Sequence, residues 1–81
     1  MTIVKRSISI SGHSTSISVE EAFWNGLRDI AERQETSIAR LVAAIDAERD
    51  TQTNLSSAIR LFVFDDALRR AERIEDGGPS D

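Results

Sequence analysis

The chain has 81 residues, a net charge of −4 and no cysteine, so it is long enough for one domain and excludes disulfides and thiolate metal sites. A single core supplies little stability at this length, and one histidine does not make a metal site, so a second subunit is the expected source of further stability. No apolar run approaches the roughly 20 residues that span a bilayer. Because the N-terminus also lacks a signal-peptide pattern, we expect a cytoplasmic protein, and one without a cofactor.

Residues 1 to 13 are basic and alternate in polarity. The first nineteen residues contain Lys5 and Arg6 and no acid, whereas all fourteen acids lie further along the chain. Ile8 and Ile10 alternate with serines, which is the pattern of a strand. This segment is therefore the first strand of a hairpin, or a flexible arm that brings its two cations to a phosphate backbone, or a strand that pairs with another protein.

The hairpin alternative specifies a turn and a register. Gly12 and His13 would form a two-residue type II′ turn, which prefers glycine at its first position. Ser11 would then face Ser14, and Ile8 would face Ile17. In this register every apolar side chain lies on one face of the hairpin and every serine lies on the other.

The next segment predicts a strand that runs directly into a helix. Thr15, Ile17 and Val19 alternate with serines, which is typical of a strand with one buried face. Ser18 and Glu21 have the spacing of a capping box, so we expect the first helix to span residues 19 to 34. A strand this short needs a partner strand to be stable.

The first helix has an apolar stripe made of Phe23, Leu27, Ile30 and Ala31. Gly26 lies inside the helix, where glycine costs up to about 1 kcal/mol relative to alanine. The usual reason for such a residue is the close approach of another segment, and we expect the third helix or a second subunit to pass over it.

A second helix follows a short connection at Glu35 and Thr36. Ser37 is the expected N-cap. The apolar positions of this helix recur at helical spacing and form a second stripe, made of Ile38, Leu41, Val42 and Ile45.

A polar break over residues 50 to 53 precedes the third helix, which we place within residues 51 to 75 and expect to begin after an Asn54 cap. Asp65 and Asp66 point about 100° apart, so they do not form a catalytic pair; we expect ion pairs with the arginines four residues on. Phe64 faces away from Phe62, so the third helix is either covered on two sides or leaves Phe64 partly exposed as a patch for docking a protein. Residues 76 to 81 should be a disordered tail.

The order of strand, helix, tight connection and helix over residues 14 to 50 resembles the ribbon-helix-helix domain. The stretch T-S-I-S-V-E-E-A-F-W-N-G-L-R-D-I-A, from Thr15, is similar to that family's strand and first helix. K-R-S-I-S-I-S-G-H from Lys5 and N-L-S-S-A-I-R from Asn54 resemble a group of short bacterial members that have a third helix.

The resemblance implies a mainly α fold with a short N-terminal β element and an added third helix. It also implies an intertwined homodimer, in which the strands of two subunits pair antiparallel and their first two helices share one core. The residues of that expected dimer core are Ile17, Val19, Phe23, Leu27, Ile30, Leu41, Val42 and Ile45.

In function, the resemblance implies a small bacterial transcriptional regulator that inserts its ribbon into the major groove of double-stranded DNA. The expected base-facing residues are Ser14, Ser16 and Ser18, where family members often carry long basic or amide side chains. The expected phosphate contacts are Lys5, Arg6, Thr36, Ser37, Ile38 and Arg40, the last four at the start of the second helix.

Two alternatives remain open at this point. A dimer of hairpins would be a four-stranded sheet, which is too broad for the major groove, so the hairpin and the DNA hypothesis compete. The alternative function is a dimeric protein-protein interaction module on the same scaffold, which would bind its partner protein through the third helix or the edge of the sheet. An enzyme is not expected, because the sequence has no nucleophile with a base, no metal set and no phosphate loop.

Overall fold

The computed structural model describes residues 2–77 and consists of a β-hairpin followed by three helices. Strands β1 (Ile3–Ile10) and β2 (His13–Glu20) form a two-stranded antiparallel sheet. They are followed by α1 (Glu21–Arg33), α2 (Ile38–Glu48) and α3 (Leu55–Gly77). Within residues 2–77, no helix is both long enough and apolar enough to cross a membrane. α3 includes residues 76–77 of the predicted disordered tail, and the rest of that tail, residues 78–81, lies outside the described residues.

The partner of β2 is β1 of the same chain, as the hairpin alternative predicts, but the predicted turn and register were wrong. The turn residues are Ser11 and Gly12, with φ of 51° and 82°. Positive φ at both positions is the type I′ geometry, whose twist matches that of the flanking strands. Ile8 therefore pairs with Thr15 rather than with Ile17.

The assignment of side chains to the two faces survives this correction, because the two registers differ by two residues and the side-chain period of a strand is two. The inner face packs against the helices and includes the buried Ile10, Ile17 and Val19. We call the opposite surface of the sheet the outer face. It consists of Ile3, Lys5, Ser7, Ser9, Ser14, Ser16, Ser18 and Glu20.

The predicted capping box of α1 is also wrong. Ser18 remains in β2, and the N-cap is Glu20, which makes no side-chain cap hydrogen bond. The Glu21 amide instead donates to the Thr2 carbonyl over 3.0 Å. The hairpin therefore takes up a free amide of the helix that a serine hydroxyl was expected to satisfy.

The caps of the other two helices are as predicted. Ser37 Oγ accepts from the Arg40 amide over 3.1 Å at the start of α2. Asn54 Oδ1 accepts from the Ser57 amide over 2.8 Å at the start of α3. Arg70 forms the predicted ion pair with Asp66. The predicted pair of Asp65 with Arg69 is present as well.

The core closes within one chain. Of the eight residues that the sequence assigned to a core shared by two subunits, seven are buried here by a single copy, and Phe23 is half-buried against them. α3 completes this core, since Ile59 is fully buried. Val63 of α3 lies against Gly26 of α1, where an added Cβ would be 2.7 Å from Val63 Cγ1. The close approach predicted at Gly26 is thus made by the third helix.

Candidate nucleic-acid interface

The outer face presents a ladder of hydroxyl groups. Ser9 pairs with Ser14, and Ser7 pairs with Ser16. All four are exposed, whereas Ser18, opposite Lys5, is half-buried. The sequence singled out only the three serines of β2; Ser7 and Ser9 were missed as site residues, although their alternation with isoleucines marked them as the polar side of a strand.

The width of this surface suits duplex DNA. Paired strands lie about 4.8 Å apart, and the major groove is about 12 Å wide, so one hairpin fits where a four-stranded sheet does not. A hydroxyl group both donates and accepts hydrogen bonds, so the ladder can contact any base edge. A single chain therefore carries a complete two-stranded ribbon of groove-compatible width.

Lys5 and Arg6 lie on opposite faces of β1. Lys5 is exposed on the outer face, beside Ser18. Arg6 lies on the inner face opposite Ile17, and its guanidinium carbon is 4.4 Å from the centroid of the Trp24 ring. Arg6 Nη1 is buried and has no hydrogen-bond partner among the described residues. Lys5 and Arg6, which were both predicted to contact phosphates, thus lie on opposite faces of the sheet.

The start of α2 is not brought to the hairpin turn. A small cavity beside that turn, of about 290 Å³, is lined by Ile10 and His13 together with Asp46 and Arg49. Asp46 lies near the C-terminal end of α2, so Ser37 lies at the end of the helix away from the turn. The Thr36 amide already donates to the Ala31 carbonyl over 2.9 Å.

α3 covers part of the free edge of β2. The Ser18 amide donates to Ser56 Oγ over 3.1 Å, and Arg60 Nη2 donates to the Ser18 carbonyl over 3.4 Å. Both backbone groups of Ser18 point away from β1, because Ser18 and Lys5 form a pair without mutual hydrogen bonds. At this residue the edge that a second subunit was expected to extend is bonded to the chain's own third helix.

Arg60 also sets the electrostatics of this edge. Its Nε donates to Glu20 Oε1 over 2.7 Å. This hydrogen bond holds the pKa of the Glu20 carboxyl below its usual value. Because Arg60 neutralises the negative charge of Glu20, Lys5 gives the outer face a net positive charge.

A second surface lies between α2 and α3, on a different part of the molecule. It is an open groove of about 530 Å³, and we call it the α2/α3 groove. Its apolar lining includes Leu41, Ala44, Ile45, Ala58, Leu61 and Phe62, and Glu48, Asp50 and Asp65 also line it. No group of three or more metal-binding side chains occurs within residues 2–77.

The hairpin and the two helices that follow it have a counterpart among known families. The family described as the ribbon-helix-helix domain matches residues 3–67, which is most of the chain and extends into α3. No curated protein and no solved structure matches the sequence. With the family match added to its fold, the chain belongs to the ribbon-helix-helix domain family.

Proposed function

We propose that this protein binds double-stranded DNA through the outer face of its hairpin and acts as a small bacterial transcriptional regulator. The observation that carries the proposal is the outer face of a two-stranded ribbon formed within one chain, which is polar at every position except Ile3 at its end. Membership of a family whose scaffold is typically DNA-binding supports it. A chromosomal partner would place the protein in the cytoplasm.

Within this proposal, residues on the outer face have separate roles. The base edges are approached by five serines, which are Ser7, Ser9, Ser14, Ser16 and Ser18. Lys5 contacts a phosphate. Serine lacks the bidentate fit of arginine or asparagine to a base, so the ribbon itself discriminates weakly between sequences. Phosphate contacts then carry most of the affinity, and binding should fall steeply with added salt.

The start of α2 is the second proposed contact with the phosphate backbone. Free amides at a helix N-terminus favour an anion, and the residues concerned are Thr36, Ser37, Ile38 and Arg40. Their amides are partly used within the chain, since the Thr36 and Arg40 amides already have acceptors. The remaining donors there are the Ser37 and Ile38 amides and the exposed Arg40 guanidinium.

Fluorescence anisotropy with a labelled pool of duplexes, titrated at several salt concentrations, tests the proposal. We expect Lys5→Ala to reduce the slope of log affinity against log salt by about 0.9, the value for one lost phosphate contact. Arg28→Ala removes the same charge from the exposed surface of α1 and is the matched control, with the slope unchanged. Ser16→Glu should abolish binding, because it places an anion at the centre of the outer face.

Two results would reject the DNA proposal. The first is no change in anisotropy with tens of micromolar protein at low salt. The second is an equal loss of slope for Lys5→Ala and Arg28→Ala, which would mean that only overall charge matters.

A protein-protein interaction module is the second candidate function, and the exposed apolar side chains of α3 favour it.

A further inference from the structure

β1 has a free edge, whereas the edge of β2 is bonded to α3 at Ser18. Lys5 and Ser18 form a pair without mutual hydrogen bonds, and such pairs alternate along an antiparallel ladder. The backbone amides and carbonyls that point away from β2 are therefore those of Ile3, Lys5, Ser7 and Ser9, and we call them the β1 edge. None of these groups has a hydrogen-bond partner among residues 2–77.

Little in the sequence of β1 prevents another strand from pairing with this edge. Natural sheets protect exposed edges with short strands, proline, bulges or charged side chains. β1 has eight residues and no proline, and it pairs with β2 one residue for one, without a bulge. Its protection is limited to the charges of Lys5 and Arg6. Two cations repel a basic strand and attract an acidic one, so they select the partner rather than exclude every partner.

The inner face of the sheet is less well covered on the side of β1. Ile17 and Val19 of β2 are fully buried, whereas Val4 and Ile8 of β1 are half-buried. A strand added at the β1 edge would lie about 4.8 Å from β1, and every second side chain of that strand would lie on the inner face. Apolar side chains at these positions would complete the burial of Val4 and Ile8.

The charges of β1 have no counterpart within the chain. Residues 1–19 contain no acid, and neither Lys5 nor Arg6 forms an ion pair with another residue among those that the structure describes. Arg6 Nη1 is also buried without an acceptor. Because Lys5 lies on the outer face and Arg6 on the inner face, two consecutive acidic residues of an added strand would meet one cation each.

We propose that the β1 edge binds an extended acidic segment of another protein as a third, antiparallel strand, through main-chain hydrogen bonds. The side chains of that segment follow the order apolar, polar, acidic, acidic, apolar. They lie opposite Ile8, Ser7, Arg6, Lys5 and Val4, in that order. β1 of a second copy does not match this pattern, because it would add two more cations and no acid to the same sheet.

The proposal goes beyond DNA binding and does not depend on it. If both hold, the bound segment opposes DNA binding, because its acid opposite Lys5 neutralises the cation that is proposed to contact a phosphate. The test of the β1 edge uses a peptide and no DNA, so either proposal can fail without the other.

Fluorescence anisotropy of a labelled, end-capped peptide, Thr-Val-Thr-Glu-Glu-Val-Thr, titrated with the full chain, tests the site. We expect saturable binding, with the second glutamate opposite Lys5. Lys5→Glu should weaken binding about tenfold, because it turns an opposite-charge pair into a like-charge pair. A peptide with lysine in place of its second glutamate should restore binding to Lys5→Glu. Arg28→Glu makes the same charge change on the exposed surface of α1 and should leave the affinity unchanged.

Backbone substitutions in the peptide test the strand geometry. The amide of the second glutamate points toward β1, whereas that of the first glutamate points away. Methylation of the second glutamate's nitrogen should therefore abolish binding, and methylation of the first should be tolerated. Bound peptide should also slow hydrogen exchange of the Lys5 and Ser7 amides, which should exchange rapidly in the chain alone.

Three results would overturn the proposal. The first is no saturation by about 1 mM peptide. The second is an equal loss of affinity in Lys5→Glu and Arg28→Glu, because the peptide would then respond to net charge alone. The third is slow exchange of the Lys5 and Ser7 amides without peptide, since another strand, such as that of a second copy, would already occupy the edge.

Discussion

Arg60 of α3 donates from Nε to Oε1 of Glu20 over 2.7 Å and so joins two residues that are 40 positions apart in the sequence. The same guanidinium donates to the Ser18 carbonyl, while Ser56 accepts from the Ser18 amide. α3 is thereby tied to the edge of the sheet as well as to the core. At Ser18 these contacts occupy the backbone amide and carbonyl that a second strand would otherwise bond.

Ser56→Ala tests the tie at the sheet edge. The substitution leaves the part-buried Ser18 amide without its acceptor, so we expect the free energy of unfolding to fall by about 1 kcal/mol. Exchange of the Ser18 amide hydrogen should become faster. Ser57→Ala, one position along the same helix, is the control, and urea unfolding with hydrogen exchange measures both variants. Equal stability of Ser56→Ala and Ser57→Ala would contradict the role of this bond.

The dependence of stability on pH tests the ion pair of Glu20. The Arg60 hydrogen bond lowers the pKa of Glu20 from 4.5, so its contribution is complete above pH 4.5 and is lost as pH falls through the lower folded pKa. Partial burial acts to raise the pKa of Asp66, but Arg33 and Arg70 outweigh it, so the net pKa is also lowered and its effect has the same sign.

We therefore expect Glu20→Gln to be less stable than the natural chain at pH 7. It should also lose less stability between pH 5 and pH 3. The difference should be small, since partly exposed ion pairs contribute little. Urea unfolding across this pH range is the measurement, and parallel curves for the two proteins would show that Glu20 does not contribute.

Gly26→Ala tests the approach of α3 to α1. The added methyl group would lie 2.7 Å from Val63 Cγ1, and a β-branched side chain cannot easily move away. Overpacking costs about 1–3 kcal/mol, which exceeds the gain of up to about 1 kcal/mol in helix propensity. We expect net destabilisation by thermal or urea unfolding. Adding Val63→Ala should remove the clash, so the cost of Gly26→Ala in that background should vanish; an unchanged cost would rule out this contact.

Arg6→Met tests the separation of the two cations of β1. The stacking on Trp24 stabilises Arg6 by about 0.5–2 kcal/mol, whereas the buried unpartnered Nη1 costs about 1–3 kcal/mol, so the two effects nearly cancel. We expect stability to change by about 1 kcal/mol or less, with a clear change in the emission of the single tryptophan. The salt dependence of DNA binding should be unchanged, in contrast to Lys5→Ala. An equal effect of both substitutions would place Arg6 at the phosphates.

The sequence by itself determined the elements and their faces. The stripes of α1 and α2, the caps at Ser37 and Asn54, and the division of the hairpin into an apolar and a serine side follow from contacts between residues a few positions apart. Such contacts repeat with the period of the helix or strand, and this period can be read directly from the order of apolar and polar residues in the sequence. The family resemblance rested on the same local patterns.

Only the tertiary structure decided the register of the hairpin and the N-cap of α1. It also decided the position of Arg6 on the inner face of the sheet and the contacts of Arg60. The turn could lie at residues 11–12 or 12–13 with the same faces, and both turn types match the twist of the strands, so the local pattern did not decide between the two registers. The closure of the core within one chain depended on α3 reaching β2 across about forty residues of sequence. Contacts over that separation leave no period in the sequence, because they depend on how whole elements pack in space.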